Sequence, residues 1–132
     1  MRKIIYLFVA FFTLLSFTKE DKHLKITYLA NCGYLYQCDN SNVLIDPLGT
    51  EYGNFFYLPS EETKKKIIQN EAPFHNIDLL LITHIHGDHF NARLAESFLQ
   101  NNTKAKMICP MQVYRQMKDS CKNLTQIEPR LS

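Results

Sequence analysis

The chain has 132 residues, 45% apolar and 21% charged, which suits one core-forming domain of ordinary globular composition. Fifteen basic residues stand against 13 acidic ones, but Arg2 and Lys3 belong to an apolar leader; without them 13 basic residues face 13 acidic ones. That balance argues against a nucleic-acid or anionic-membrane partner, since each needs a basic face.

Residues 1–18 read as a signal peptide. Arg2 and Lys3 form a positive start, and Ile4 to Phe17 is an apolar stretch of 14 residues interrupted by Thr13 and Ser16. Such a stretch is short for a membrane span and suits export. Residues 19–132 are then the domain, expected to be exported, periplasmic or secreted. No small-x-small cleavage pattern precedes Lys19. An uncleaved anchor is therefore the alternative, and the expected route to a membrane.

Lys25 to Leu29 and Tyr34 to Cys38 are rich in aromatic and β-branched residues and flank the turn signal Asn31-Cys32-Gly33. Asp39 to Asn42 is a second polar turn, and Val43 to Asp46 a third strand stopped by Pro47. A β-meander is expected. Leu48 to Ser60 reads as a loop, whose Tyr52, Phe55, Phe56 and Tyr57 are expected to cover the core rather than line a pocket. Ser60 caps a helix running to about Asn70, with Lys64-Lys65-Lys66 as a solvated face. His75 and His23 are expected to be structural or exposed.

Ile77-Asp78-Leu79-Leu80-Leu81-Ile82 reads as a buried strand. It runs directly into Thr83-His84-Ile85-His86-Gly87-Asp88-His89-Phe90, where three imidazoles and a carboxylate occupy six positions. Beyond it, Asn91 caps a helix from Ala92 to about Leu99, with Leu94, Ala95, Phe98 and Leu99 inward. A strand from Ala105 to Cys109, a helix from Met111 to about Ser120 (Val113, Tyr114 and Met117 inward) and a strand from Leu124 to Ile127 follow. The alternation predicts an α/β fold. Of Cys32, Cys38, Cys109 and Cys121, none forms a C-x-x-C pair. Three disulfide pairings exist in principle, Cys32 with Cys38 among them, and Cys109 reads as a buried thiol.

The residues from 84 to 89 suit a metal. His84 and His86, two apart in an extended segment, share one side, and Gly87 allows a sharp turn that brings Asp88 and His89 back to the same volume. Imidazole and carboxylate ligate zinc and related divalent ions, and a pair of metals can divide bond polarisation and water activation.

His84-x-His86-x-Asp88-His89 resembles the H-x-H-x-D-H signature of the metallo-β-lactamase superfamily, and the segment from Ile26 through Asp46-Pro47 resembles that family's opening hairpin. The resemblance runs from about Lys25 to the end of the chain. It implies the N-terminal half of an αββα sandwich and a hydrolase of small-molecule substrates using Zn2+, two per complete site. It implies His84 and His86 on a first metal, Asp88 and His89 on a second, Asp88 also catalytic beside the nucleophilic water, and Asp46 supporting the site from outside.

The family completes its site with ligands from the second half of the sandwich. Here no histidine follows His89, and the acidic residues after it are Glu96, Asp119 and Glu128. The chain is therefore expected to be an incomplete domain, a fragment or a truncated gene, with an apolar sheet face that promotes self-association. The competing expectation is a non-catalytic, metal-binding or self-associating remnant of such a hydrolase.

Overall fold

The computed structural model describes residues 23–39, 41–50, 57–118 and 127–130. Among the described residues six strands form a single sheet in chain order: β1 (Leu24–Ala30), β2 (Gly33–Cys38), β3 (Ser41–Ile45), β4 (Leu79–Leu81), β5 (Lys106–Pro110) and β6 (Ile127–Arg130). The first three are an antiparallel meander, because the turns at Asn31-Cys32 and Asp39 are too short for anything else. From β3 onward the pairing is parallel, with a helix in each crossover: α1 (Glu61–Ile68), α2 (Ala92–Asn101) and α3 (Met111–Lys118). The fold is the expected α/β arrangement. The leader at 1–18 lies outside the described residues, as do Tyr52, Phe55, Phe56 and Cys121.

Period-2 alternation sorts the sheet into two faces. Leu35, Leu44, Leu80, Met107, Cys109 and Ile127 share one face and are buried. They form one core with Ile67 of α1, Ala95, Phe98 and Leu99 of α2, and Val113 and Met117 of α3. The other face carries Ile26, Tyr28, Tyr34, Tyr36, Val43, Ile45, Leu79, Leu81 and Ile108, which are half-buried or exposed. On edge strand β1, Leu24, Ile26 and Tyr28 are each more than half exposed.

Both helix caps expected from sequence form. Ser60 Oγ accepts from Thr63 N at 3.1 Å, and Asn91 Oδ1 accepts from Leu94 N at 3.2 Å. Other expectations are corrected. β4 is three residues rather than six; beyond its ends the ladder continues only as isolated bonds, Asp78 N donating to Asn42 O, Lys106 N donating to Asp78 O, and Ile82 N donating to Ile108 O. The lysine run is not wholly solvated: the Lys64 stem is buried and its ammonium reaches the exposed Glu61 at 2.5 Å. Tyr57 is 88% exposed and covers no core. Cys32, Cys38 and Cys109 are free thiols, so the Cys32–Cys38 bridge is not formed. His23 and His75 are exposed, as expected.

Candidate metal centre

Three segments meet where the parallel strands end: the β1–β2 turn, the chain leaving β3 and the chain leaving β4. Asp46 joins the last two. Its N–H donates to Leu81 O at 3.0 Å, continuing the ladder past β3. Its φ is 43°, a left-handed conformation that costs a non-glycine residue about 1–3 kcal/mol and persists only where surroundings enforce it. Here the surroundings are a saturated carboxylate. Oδ1 accepts from Thr83 N at 2.8 Å, and Oδ2 accepts from Thr83 Oγ1 at 2.5 Å and from His89 Nδ1 at 2.8 Å.

Gly49 lies in the same segment and touches the histidine motif directly. A Cβ at this position would stand 2.0 Å from the Asp88 carbonyl oxygen. Only glycine permits so close a backbone approach. Next to it, Thr50 N donates to Gly87 O at 2.6 Å. The motif itself closes a tight turn, with His89 N and Phe90 N both donating to His86 O, and buried Phe90 pins that turn to the core.

These contacts set the imidazole tautomers. An ionised Asp46 accepts from His89 Nδ1, so the lone pair of His89 is on Nε2. The Thr83 hydroxyl proton is committed to Asp46, which leaves the oxygen to accept from His84 Nδ1 at 3.2 Å. His84 then also presents Nε2. The metal-competent atoms of His84, Asp88 and His89 lie within 4.8 Å of one another. His89 Nε2 faces Asp88 Oδ2 at 3.3 Å, two acceptors opposed across a gap. Zinc at about 2.0–2.2 Å from each of two tetrahedral ligands separates them by roughly 3.4 Å, so the pair fits a divalent cation. A proton on Nε2 satisfies the same pair, so proton and cation compete for one position.

Electrostatics favour the cation at His84. Burial first, then the neighbouring His89 and His86, hold its pKa below the usual value, against an opposing pull from Asp46 and Asp88. The ring is therefore neutral and ligand-ready near pH 7. Cys32, exposed in the β1–β2 turn, is pushed the other way: desolvation and then the Asp46 and Asp88 carboxylates raise its thiol pKa. An apolar recess of about 290 Å³ lies beside Thr83, walled by Leu81, Ile108, Pro110 and Arg130. A second recess of about 230 Å³, bordered by Asn70, Asn76, Asn101 and Asn102, lies at the opposite end of β4 and β5, away from the histidines.

The metallo-beta-lactamase superfamily profile matches residues 28–92, a span that includes Asp46 and the whole histidine motif. Over those residues, just under half of the chain, the sequence is similar to the metallo-β-lactamase superfamily. A crystal structure from Parabacteroides distasonis, of a protein named "putative metal-dependent hydrolase", superposes with a TM-score of 0.53 at 20% sequence identity. The match covers 87% of this chain and 40% of that one, so the chain spans well under half the length of that protein and the likeness is one of fold. No curated protein matches the chain.

Within this matched segment the structure gathers His84, Asp88 and His89 but leaves His86 outside the trio, with its exposed ring edge-on to His84 at 4.7 Å between centroids. The gathered set cuts across the two pairs expected from the motif, because the turn at 87–89 brings Asp88 and His89 onto His84, whose ring lies 3.8 Å from that of His89. Asp46 lies behind His89. Three contributors were not legible beforehand: Thr83, which orients two imidazoles, Gly49, which admits the backbone, and Asn31, whose amide meets Asp88. The glycine fell within the segment read as a loop and the asparagine within a turn signal, but nothing local links either to position 88.

Proposed function

We propose that residues 19–132 carry the metal-binding part of a zinc-dependent hydrolase acting on a small molecule. The observation that carries this reading is the trio of His84, Asp88 and His89, two of whose rings have Nδ1 occupied and Nε2 free. When bound, zinc supplies Lewis acidity and a water deprotonated near neutral pH. The chain's own residues prepare that chemistry. Asp46 and Thr83 fix the two rings. Asp88 holds negative charge at the rim and accepts the proton of the attacking water. His86, its ring against that of His84, adds a further imidazole donor on the His84 side. The recess beside Thr83 excludes water from one side and takes the apolar part of the substrate, with the Arg130 guanidinium at its wall.

The donors on this chain make part of a two-metal complement, so turnover belongs to a polypeptide that carries the rest. Residues 1–18 direct export in this reading. The exposed Leu24, Ile26 and Tyr28 favour a second one, a metal-binding remnant that associates through its apolar sheet face. Zinc stoichiometry on the full-length product, with ester, lactone and phosphodiester hydrolysis measured on the same sample, tests the first reading. Zinc binding lost in His84→Ala, with hydrolysis in the unmodified protein, supports it. Zinc-independent hydrolysis refutes it, and stable oligomers that bind zinc without turnover favour the remnant.

A further inference from the structure

We propose that Asn31 is a positioning residue for the metal, its side-chain amide holding the Asp88 carboxylate in the orientation that receives a divalent cation. This rests on the reading of His84, Asp88 and His89 as donors. Asn31 lies 57 positions before Asp88, in the turn between β1 and β2. Its Nδ2 is 3.1 Å from Asp88 Oδ2 and 3.4 Å from the Asp88 carbonyl oxygen. Both neighbours are acceptors, so the amide must present its N–H groups rather than its oxygen. The oxygen it holds is the same Oδ2 that faces His89 Nε2 at 3.3 Å. A carboxylate on a turn is otherwise free about a broad terminal torsion. One donor reaching both its side chain and its backbone fixes the rotamer together with the turn that carries it.

The β1–β2 turn is shaped to deliver that amide. Asn31 has φ 46°, in the left-handed region that asparagine tolerates better than most residues. The register between β1 and β2 shifts between Tyr28 and Ala30, an irregularity of the kind that re-aims side chains at sheet rims. Gly33 closes the turn against the site: a Cβ there would stand 3.0 Å from Ala30 O and 3.2 Å from Asp46 O. The turn is thus seated on Asp46 at one end and bonded to Asp88 at the other. Losing an outer partner of a metal ligand typically weakens metal binding about 10–100-fold.

A bland role as turn former would be met equally well by glycine, which separates the two. In the full chain, Asn31→Gly keeps the left-handed backbone and removes the amide. Zinc affinity, measured by chelator competition, is expected to fall about tenfold or more, with little change in the metal-free unfolding midpoint. Asn31→Gln, which keeps an amide on a longer stem, is expected to bind zinc more tightly than Asn31→Gly. Wild-type affinity in Asn31→Gly overturns the proposal while leaving the site intact. So does Asn31→Gln losing as much affinity as Asn31→Gly when both are folded. An unmodified chain that binds no zinc, with His89→Ala no different, overturns the reading of the site and the proposal with it.

Discussion

Replacing Gly49 by alanine tests whether the chain leaving β3 really presses on the metal motif. The added methyl would stand 2.0 Å from the Asp88 carbonyl oxygen and 2.5 Å from its carbonyl carbon. A carbon normally approaches an oxygen no closer than about 3.3 Å, so one backbone must retreat by roughly 1.3 Å. Neither has an easy retreat. Asp46 and Pro47 before it are buried, and Thr50 after it bonds to Gly87. Overpacking of this kind costs about 1–3 kcal/mol of stability. A displacement near 1 Å at Asp88 also misplaces a donor, and zinc affinity should fall tenfold or more. Gly33→Ala is the graded control. Its nearest atoms stand at 3.0 and 3.2 Å, so a shift of a few tenths of an ångström relieves it. Urea unfolding and chelator competition on both variants give the comparison. Gly49→Ala matching the unmodified chain in both measurements would refute the close approach on which the site's assembly depends.

Asp46→Asn leaves His89 Nδ1 without a carboxylate and frees the ring to present the wrong nitrogen; zinc affinity should drop about 10–100-fold, and an unchanged affinity would strip Asp46 of its supporting role. Proton titration of the His84 ring by NMR should give a midpoint below about 6.5, because burial disfavours its charged form. The sign for stability follows: the folded chain binds this proton more weakly than the unfolded one, so His84 lowers stability as pH falls below about 6.5 and contributes nothing above it. A midpoint at or above the ordinary value contradicts this. Leu80→Ala, at a fully buried position between Leu44 and Met107, should cost about 2–5 kcal/mol, a large share of the roughly 5–15 kcal/mol available to a domain. A urea midpoint close to that of the unmodified chain would place Leu80 outside the core.

Much of the fold was legible because its causes are local. The composition of Tyr34 to Cys38 beside its turn signal, the caps Ser60 and Asn91, and the apolar spacing of Leu94, Ala95, Phe98 and Leu99 each act within a few residues, and each formed as read. Boundaries drifted where a neighbouring strand, not the residue itself, decides the pairing, as at Asp78 and Ile82. Lys64 departed from its pattern because three successive lysines on a helix cannot all face outward; the residue on the inward side buried its stem. The site followed the same division. The histidine motif announced its donors through their crowding in sequence. The grouping of His84 with Asp88 and His89 depends on a turn geometry that spacing alone leaves open. Asn31 and Gly49 act on Asp88 across 57 and 39 positions, so their cause exists only once the meander has brought both turns to the rim. This ordering has a physical consequence. The antiparallel meander and the chain leaving it do no chemistry in the proposed function, yet they supply the amide, the glycine and the carboxylate that hold the motif in shape. A peptide of residues 77–90 alone would carry all four donors with none of that support. It should bind zinc far more weakly than the folded chain. Equal affinity would mean that the scaffold contributes nothing to the donors' arrangement.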